Sequence, residues 1–328
     1  MRRRDLLAGL LATTTASTLR AAQPEKVYRV AHCTPLGMVA FKSLTARLYE
    51  QDLPHLGYVE GKNLVVNRYY ADDQVERYPV IAREAAQSKP DLIIVGLSHE
   101  LILEVRKATS TIPIVANMGS VDAGLVQNIA RPEGNVTGVV FDAGIEMQGK
   151  HLDILRQAVP SISRVGYLSP RGEWEGAWGR AILDYGRQLG ISIIGTVMDW
   201  SADEQEYRQA FETIVQQSAD AVMFNGFGPN YKKRHFIAEL AKAYRLPSIC
   251  WFIDVAKTEG LLAYAADTTD IVDRFAHQID QVLKGVRIAD IPVYQPTKFI
   301  LAINLKTAKA LGLTIPPTLL AGADEVIE

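Results

Sequence analysis

Apolar and polar positions alternate along this chain in two recurring patterns. Short, almost uninterrupted apolar runs read as strands buried on both faces of a parallel sheet. Between them, apolar residues recur at helical spacing. The stretch from Asp91 to Ser120 shows both. Asp91–Leu97 is a strand run; Leu101, Ile102, Val105 and Ala108 mark a helix; Ile112–Val115 is a second strand run. Strand, helix and strand within about 25 residues make a right-handed βαβ unit.

The same reading extends in both directions. Val27–His32, Leu64–Tyr70 and Val136–Phe141 are strands, and Glu76–Gln87 is a helix. Gly57 reads as a helix-stopping glycine. Asp122–Ala130 is expected as a short helix and Arg131–Asn135 as a turn. A second round follows. Helices are expected at Gln148–Ala158, Trp178–Leu189, Glu204–Gln217 and Arg234–Tyr244, and strands at Arg164–Leu168, Ile191–Met198, Asp220–Asn225 and Pro247–Trp251. Ser169–Trp174 and Phe252–Asp254 are expected as loops. RVAHCTPLG then corresponds in placement to RVGYLSPRG, DLIIVGLS to DAVMFNGFG, and IPIVANMGS to LPSICWFID. This coarse structural repeat predicts two similar α/β lobes. After Gly260 come a strand at Leu261–Ala265, a helix at Ile271–Leu283, an extended run at Ile291–Ile303 and a helix at Leu305–Leu311, so the chain crosses between lobes more than once.

Met1–Ala22 stands outside this pattern. Arg2-Arg3-Arg4, the apolar stretch Leu6–Ala12 and a Thr/Ser/Ala-rich end give the order of an export signal, with cleavage expected near Ala21 or Ala22. Arg3-Arg4-Asp5-Leu6-Leu7 resembles a twin-arginine signal, which directs export of folded protein. A periplasmic location follows from that reading. The chain as a whole has the composition of a soluble globular protein and a net charge of −2, with no basic cluster outside the first four residues, so nucleic acid is not an expected partner. Cys33 and Cys250 end apolar runs and read as two buried thiols.

In open α/β sheets, ligands bind at the C-terminal ends of the strands. There the first lobe carries Thr34, Ser98, His99, Asn117 and Ser120. Ser98 can hold a carboxylate at a helix start, or serve simply as its N-cap. His99 can donate to the same anion or face solvent; Asn117 and Ser120 can bond a ligand or their own turns. The second lobe offers Trp174, for stacking or core packing, with Asn225 and Asp254 as polar groups. Phe227, Tyr231, Trp251 and Phe252 make its loops rich in rings. The six histidines show no metal-ligand spacing, and neither GxSxG nor a P-loop is present, so no catalytic residue, cofactor or metal is assigned.

Four segments carry a family resemblance. They are His55-Leu-Gly-Tyr-Val-Glu-Gly-Lys-Asn63, Ala108-Thr-Ser-Thr-Ile-Pro-Ile-Val115, Ala123-Gly-Leu-Val126 with Ala130-Arg-Pro-Glu-Gly-Asn-Val-Thr-Gly138, and Asn304–Pro317 with Ala323–Glu328. In this order they resemble the extracytoplasmic substrate-binding proteins of ABC importers, in the branch whose members bind tryptophan, tyrosine or related amino acids. The resemblance implies a type I periplasmic-binding-protein fold: two Rossmann-like lobes with parallel sheets, joined by three crossover segments at Val139–Asp142, Leu262–Ala266 and Gln295–Phe299. It places residues 27–141 with 267–294 in lobe 1, and 142–266 with 295–328 in lobe 2. It implies a monomer that closes on a small molecule (an aromatic or branched amino acid, or an aromatic carboxylate) and delivers it to an ABC permease. Gly119-Ser120 stands where relatives carry Asp-Pro, which removes one acid that could meet a ligand ammonium. Two rival readings share the cleft, an exported α/β enzyme and a sensor that presents ligand to a membrane receptor.

Overall fold

The computed structural model describes residues 26–96, 98–119, 125–141, 144–199, 202–226 and 228–328, without the side chains of residues 43, 44 and 228. The expected export signal, Ser120, Asp142 and Phe227 lie outside the described residues.

Twelve strands are found among the described residues: β1 (Tyr28–Thr34), β2 (Leu64–Tyr70), β3 (Leu92–Gly96), β4 (Ile114–Met118), β5 (Val136–Val140), β6 (Arg164–Pro170), β7 (Ser192–Met198), β8 (Ala221–Phe224), β9 (Ser248–Cys250), β10 (Leu262–Ala266), β11 (Phe299–Asn304) and β12 (Glu325–Ile327). They form two sheets, in the orders β2-β1-β3-β4-β5 and β12-β11-β10-β9-β8-β6-β7. Leaving aside β11 and β12, the second order is that of the first sheet repeated, a doubly wound arrangement whose strand order reverses between its first and third strands. The coarse repeat in the sequence is therefore a repeat of topology. The first sheet is wholly parallel; in the second, β11 runs antiparallel to β10. The uninterrupted apolar runs follow from burial on both faces: every residue of β3, β5 and β8 is buried.

The chain passes between the sheets as follows. After β10 it enters the helix Thr268–Leu283, whose Ile271, Phe275 and Ile279 share a core with Val30, Leu92 and Ile94 of the first sheet. It then runs beside β5, where the Tyr294 N–H donates to Gly138 O at 2.9 Å and Val140 N–H donates to Tyr294 O at 2.9 Å. Finally it returns to the second sheet as β11. Tyr264 and Phe299 stack at 5.5 Å where β10 leaves and β11 arrives.

Several boundaries differ from expectation, each for a local reason. Leu125–Ala130 is irregular rather than helical, because Asn128 Oδ1 accepts from the N–H groups of Ala130 and Arg131, both at 3.1 Å, and closes a turn. Ser169–Trp174 is not a loop: β6 continues through Pro170, and Arg171–Glu175 forms a helical turn. The expected exit loop at Phe252–Asp254 is largely the helical turn Ile253–Ala256. The helix placed at Arg234–Tyr244 starts at Gly228, with Pro229 in the first turn, where no backbone donor is needed. Cys33 and Cys250 are both buried and free. They belong to separate cores, and burial pushes both thiols up to about 12. No helix among the described residues is long and apolar enough to cross a membrane.

Gly138 shows how tightly the first sheet is built. Its φ is +149°, and a Cβ there would lie 1.8 Å from Ala116 O on β4. Gly138→Ala is expected to cost about 3 kcal/mol or more, through backbone strain and overpacking together, measured as a lower midpoint in urea unfolding.

Candidate functional site

The C-terminal strand ends of both sheets carry polar groups that the parallel ladders leave free for other uses. In the first lobe, β3 runs into Ser98, whose extended backbone makes it the N-cap of the helix His99–Ala108. Its Oγ accepts from the Leu101 N–H at 3.3 Å and donates to Glu100 Oε2 at 2.9 Å. The hydroxyl thus caps the helix and orients Glu100. His99 is half-buried, and its Nδ1 has no partner among the described residues. Burial lowers its pKa and Arg106 adds to the effect, while Glu100 opposes it. Asn117 faces Gly96 across the β3–β4 pair, where a Cβ on Gly96 would come within 2.8 Å of the asparagine Cβ. Asn117 Oδ1 is buried and unpartnered. Thr34 ends β1, fully buried, with its Oγ1 accepting from the Leu36 N–H at 3.2 Å.

The second lobe is organised on the Tyr167 hydroxyl. Gln148 donates to it from the helix Glu146–Ala158 at 2.9 Å, and Asn225 approaches it and Ser169 Oγ at 3.4 Å each. Asn230 then donates to Asn225 Oδ1 at 2.9 Å and to Leu168 O at 3.0 Å, and accepts from the Tyr207 hydroxyl at 2.9 Å. Asn225 is fully buried and ties the end of β8 to that of β6. Gln148 is fully buried too, yet its Oε1 has no partner.

The aromatic groups divide between packing and the cleft. Trp174 lies over the bare backbone of Gly195 on β7, where a Cβ would meet its ring at 2.1 Å, and it joins the core beside Tyr167 at 6.2 Å. Trp251, just past β9, stacks on His151 at 3.5 Å, with its Nε1 donor buried and unpartnered. His151 Nδ1 and Nε2 lie 2.7 Å from Met147 O and Tyr264 O. Two carbonyls favour the imidazolium, but burial prevails and pulls its pKa down to about 4. Asp254 is exposed, and its carboxylate is committed to Arg234 at 2.8 Å and His235 at 3.2 Å.

Glu173 carries chemistry that the sequence reading passed over. It sits on the helical turn Arg171–Glu175, at the switch point between β6 and β8. Its Oε2 is buried without a partner among the described residues. Burial, and then the charge of Glu100 on the other lobe, push its pKa up to about 7. A second contact spans the lobes: Lys232 Nζ lies 2.8 Å from Asp73 Oδ1. The lobes are therefore in contact, and each carries buried polar atoms without a partner among the described residues: Asn117 and His99 in one, Gln148, Glu173 and Trp251 in the other. Buried polar groups are normally paired, so each of these atoms calls for a partner that the described side chains do not supply.

Residues 48–327 match the model of the ABC transporter substrate binding protein family. The chain belongs to this family. Its members are extracytoplasmic binding components of transporters that take small-molecule ligands and work with an ABC permease. A tyrosine-binding protein of Clostridioides difficile (strain R20291) is 23% identical over 260 residues, 78% of this chain and 73% of the relative. Among solved structures, a conserved domain protein of Vibrio cholerae is 21% identical, with a TM-score of 0.80 over 92% of this chain and 100% of the other. An ABC domain in complex with L-Trp from Streptococcus pneumonia is 18% identical, with a TM-score of 0.78 over the same shares. These likenesses show the type I binding-protein fold, as the sequence motifs imply.

Raising an acid's pKa means that the native chain favours the protonated form. Between the ordinary 4.5 and about 7, the native chain holds more protons than the unfolded one, so stability falls as pH rises through that window. Glu173→Gln removes the effect. It is expected to raise the melting temperature more at pH 8 than at pH 5, with a gain of about 1–3 kcal/mol at the higher pH, read by calorimetry in the absence of ligand.

Proposed function

We propose that this chain is a monomeric periplasmic receptor that closes its two lobes on an aromatic or branched amino acid, or an aromatic carboxylate, and delivers it to an ABC permease. Export proceeds through the twin-arginine-like signal, with cleavage near Ala21 or Ala22. The lobes comprise residues 27–141 with 267–294, and 142–266 with 295–328; the seating of the helix Thr268–Leu283 on the first sheet and the return of β11 to the second support these bounds. The protein binds without turning its ligand over. The observation that carries the reading is the pair of doubly wound sheets, with buried polar atoms left without a partner among the described residues at or beyond the C-terminal strand ends, Asn117 in one lobe and Glu173 and Trp251 in the other.

Within the site, Ser98, His99, Asn117, Ser120 and Thr34 are the first lobe's contribution. From the second, Asn225 acts through Tyr167, Trp174 acts as the wall behind it, and Asp254 serves the outer rim. Gln148, Glu173 and Trp251 join them. The partly buried Trp251, just past β9, favours a ligand with an apolar ring. The tyrosine-binding relative and the L-Trp complex support the same class.

A thermal-shift screen of the mature chain against amino acids and aromatic carboxylates should show a shift with one chemical class. Ligand at a hundredfold excess over Kd adds about 2.7 kcal/mol of stability. Recovery of the ligand unchanged supports a receptor; its consumption overturns this reading in favour of an enzyme. Closure has its own test. Lys232→Ala removes the ion pair to Asp73 at the cleft mouth. An exposed pair is worth 0–1 kcal/mol, so affinity for the ligand found in the screen should weaken by up to about fivefold, and more at low salt than at high.

A further inference from the structure

We propose that lobe 2 carries a second small-molecule site, on its flank and apart from the interlobe cleft, which takes a planar aromatic carboxylate with its ring over Tyr264 and Phe299 and its anionic group on Lys150. The site is a hollow of about 340 Å³ between the helix Glu146–Ala158 and the helical turn Pro317–Ala321. That volume is at the lower end of the range for small-ligand sites. The hollow lies over one face of β10 and β11, where Tyr264 pairs with Leu301 and Ala266 with Phe299. The cleft lies instead at the strand ends. Gln148, which reaches Tyr167, is two residues from Lys150 and so points to nearly the opposite side of the helix. This flank site stands whether or not the cleft takes an aromatic cargo.

The floor is aromatic and incompletely covered. Tyr264 and Phe299 stack at 5.5 Å with their planes 25° apart, and both stay partly exposed beside the buried Leu301. A planar ring laid there removes apolar surface from water. Gly322 keeps the space above them open. Glycine commonly follows a helix because it adopts a positive φ. Gly322 instead has φ −95° and ψ 0°, a turn conformation open to other residues. A Cβ there would meet nothing closer than Leu319 O at 3.7 Å. Neither backbone nor packing calls for glycine, and a side chain at this position would take up the hollow that Gly322 lines. Charge then sets the polarity of the ligand. Lys150 is exposed on one wall and has no ion-pair partner among the described residues. On the other wall Asp324 is held by the Leu301 N–H, which donates to its Oδ2 at 2.8 Å. Asp324 repels a carboxylate and turns it toward Lys150.

The test is a titration of naphthalene-2-carboxylate into the mature chain, followed by backbone-amide NMR. In wild type the amide signals of Lys150, Leu301 and Asp324 are expected to shift together along one saturable curve. Gly322→Leu, at an exposed position, is expected to abolish those shifts while the rest of the spectrum keeps its folded dispersion. Lys150→Ala is expected to weaken binding by up to about fivefold, the worth of an exposed charge contact, and keeps the site testable if Gly322→Leu does not fold. The neutral 2-naphthamide is expected to bind wild type more weakly by the same factor and to be indifferent to Lys150→Ala. No saturable shift at these amides in wild type overturns the site, as do shifts that persist in a folded Gly322→Leu. Shifts confined to Asn117 and Asn225 place the probe in the cleft and also overturn it. Equal binding of carboxylate and amide overturns the anionic class.

Discussion

The Tyr167 hydroxyl is the point on which the second half of the cleft depends. It is buried, so it must be paired, and the groups that pair it come from different elements: Gln148 from the helix leading into the lobe and Asn225 from the end of β8. Through Asn225 the constraint passes to Asn230, and so to Tyr207 and the backbone of β6. A network of this kind fixes its members far more narrowly than apolar packing does, because each hydrogen bond has a direction. It ties the ends of β6 and β8 together and leaves Gln148 Oε1 buried without a partner among the described residues.

Closure adds a second constraint. The two lobes share no sheet, and the chain passes between them at the crossover segments beside β5, β10 and β11. Such passages bend at little cost, whereas the sheets do not, so motion concentrates at the passages. The contacts made across the gap then decide which state is populated. Lys232 with Asp73 is such a contact, joining the lobes through one exposed ion pair. A contact worth so little leaves the balance for a ligand to shift.

Much of this was legible in the sequence. The two-sided burial of strands such as β3 and β8 gives apolar runs that cannot be mistaken for amphipathic elements, and Ser98 announced the helix that follows it. What could not be read was the partnering of polar side chains. Asn225 and Asp254 looked alike, each a polar residue after a strand; one is locked in a buried network and the other is neutralised at the surface by a helix twenty residues earlier in the chain. Glu173, between Gly172 and Trp174, had the appearance of a surface acid. Its environment is created first by burial and then by Glu100, which is remote in sequence and lies on the other lobe. The turn at Asn128 was missed because a side-chain acceptor competed successfully with a helix that the apolar spacing favoured.

The two thiols give this architecture an unplanned means of observation. Cys33 lies in a core of lobe 1 and Cys250 in a core of lobe 2, each fully buried and free. A buried thiol reacts with an alkylating reagent only when its surroundings open. Each lobe therefore carries its own clock for local unfolding, and the two can be read separately by mass spectrometry in one sample. If the ligand clamps the lobes together, both clocks slow at once; if it only orders one face, one slows and the other keeps its pace.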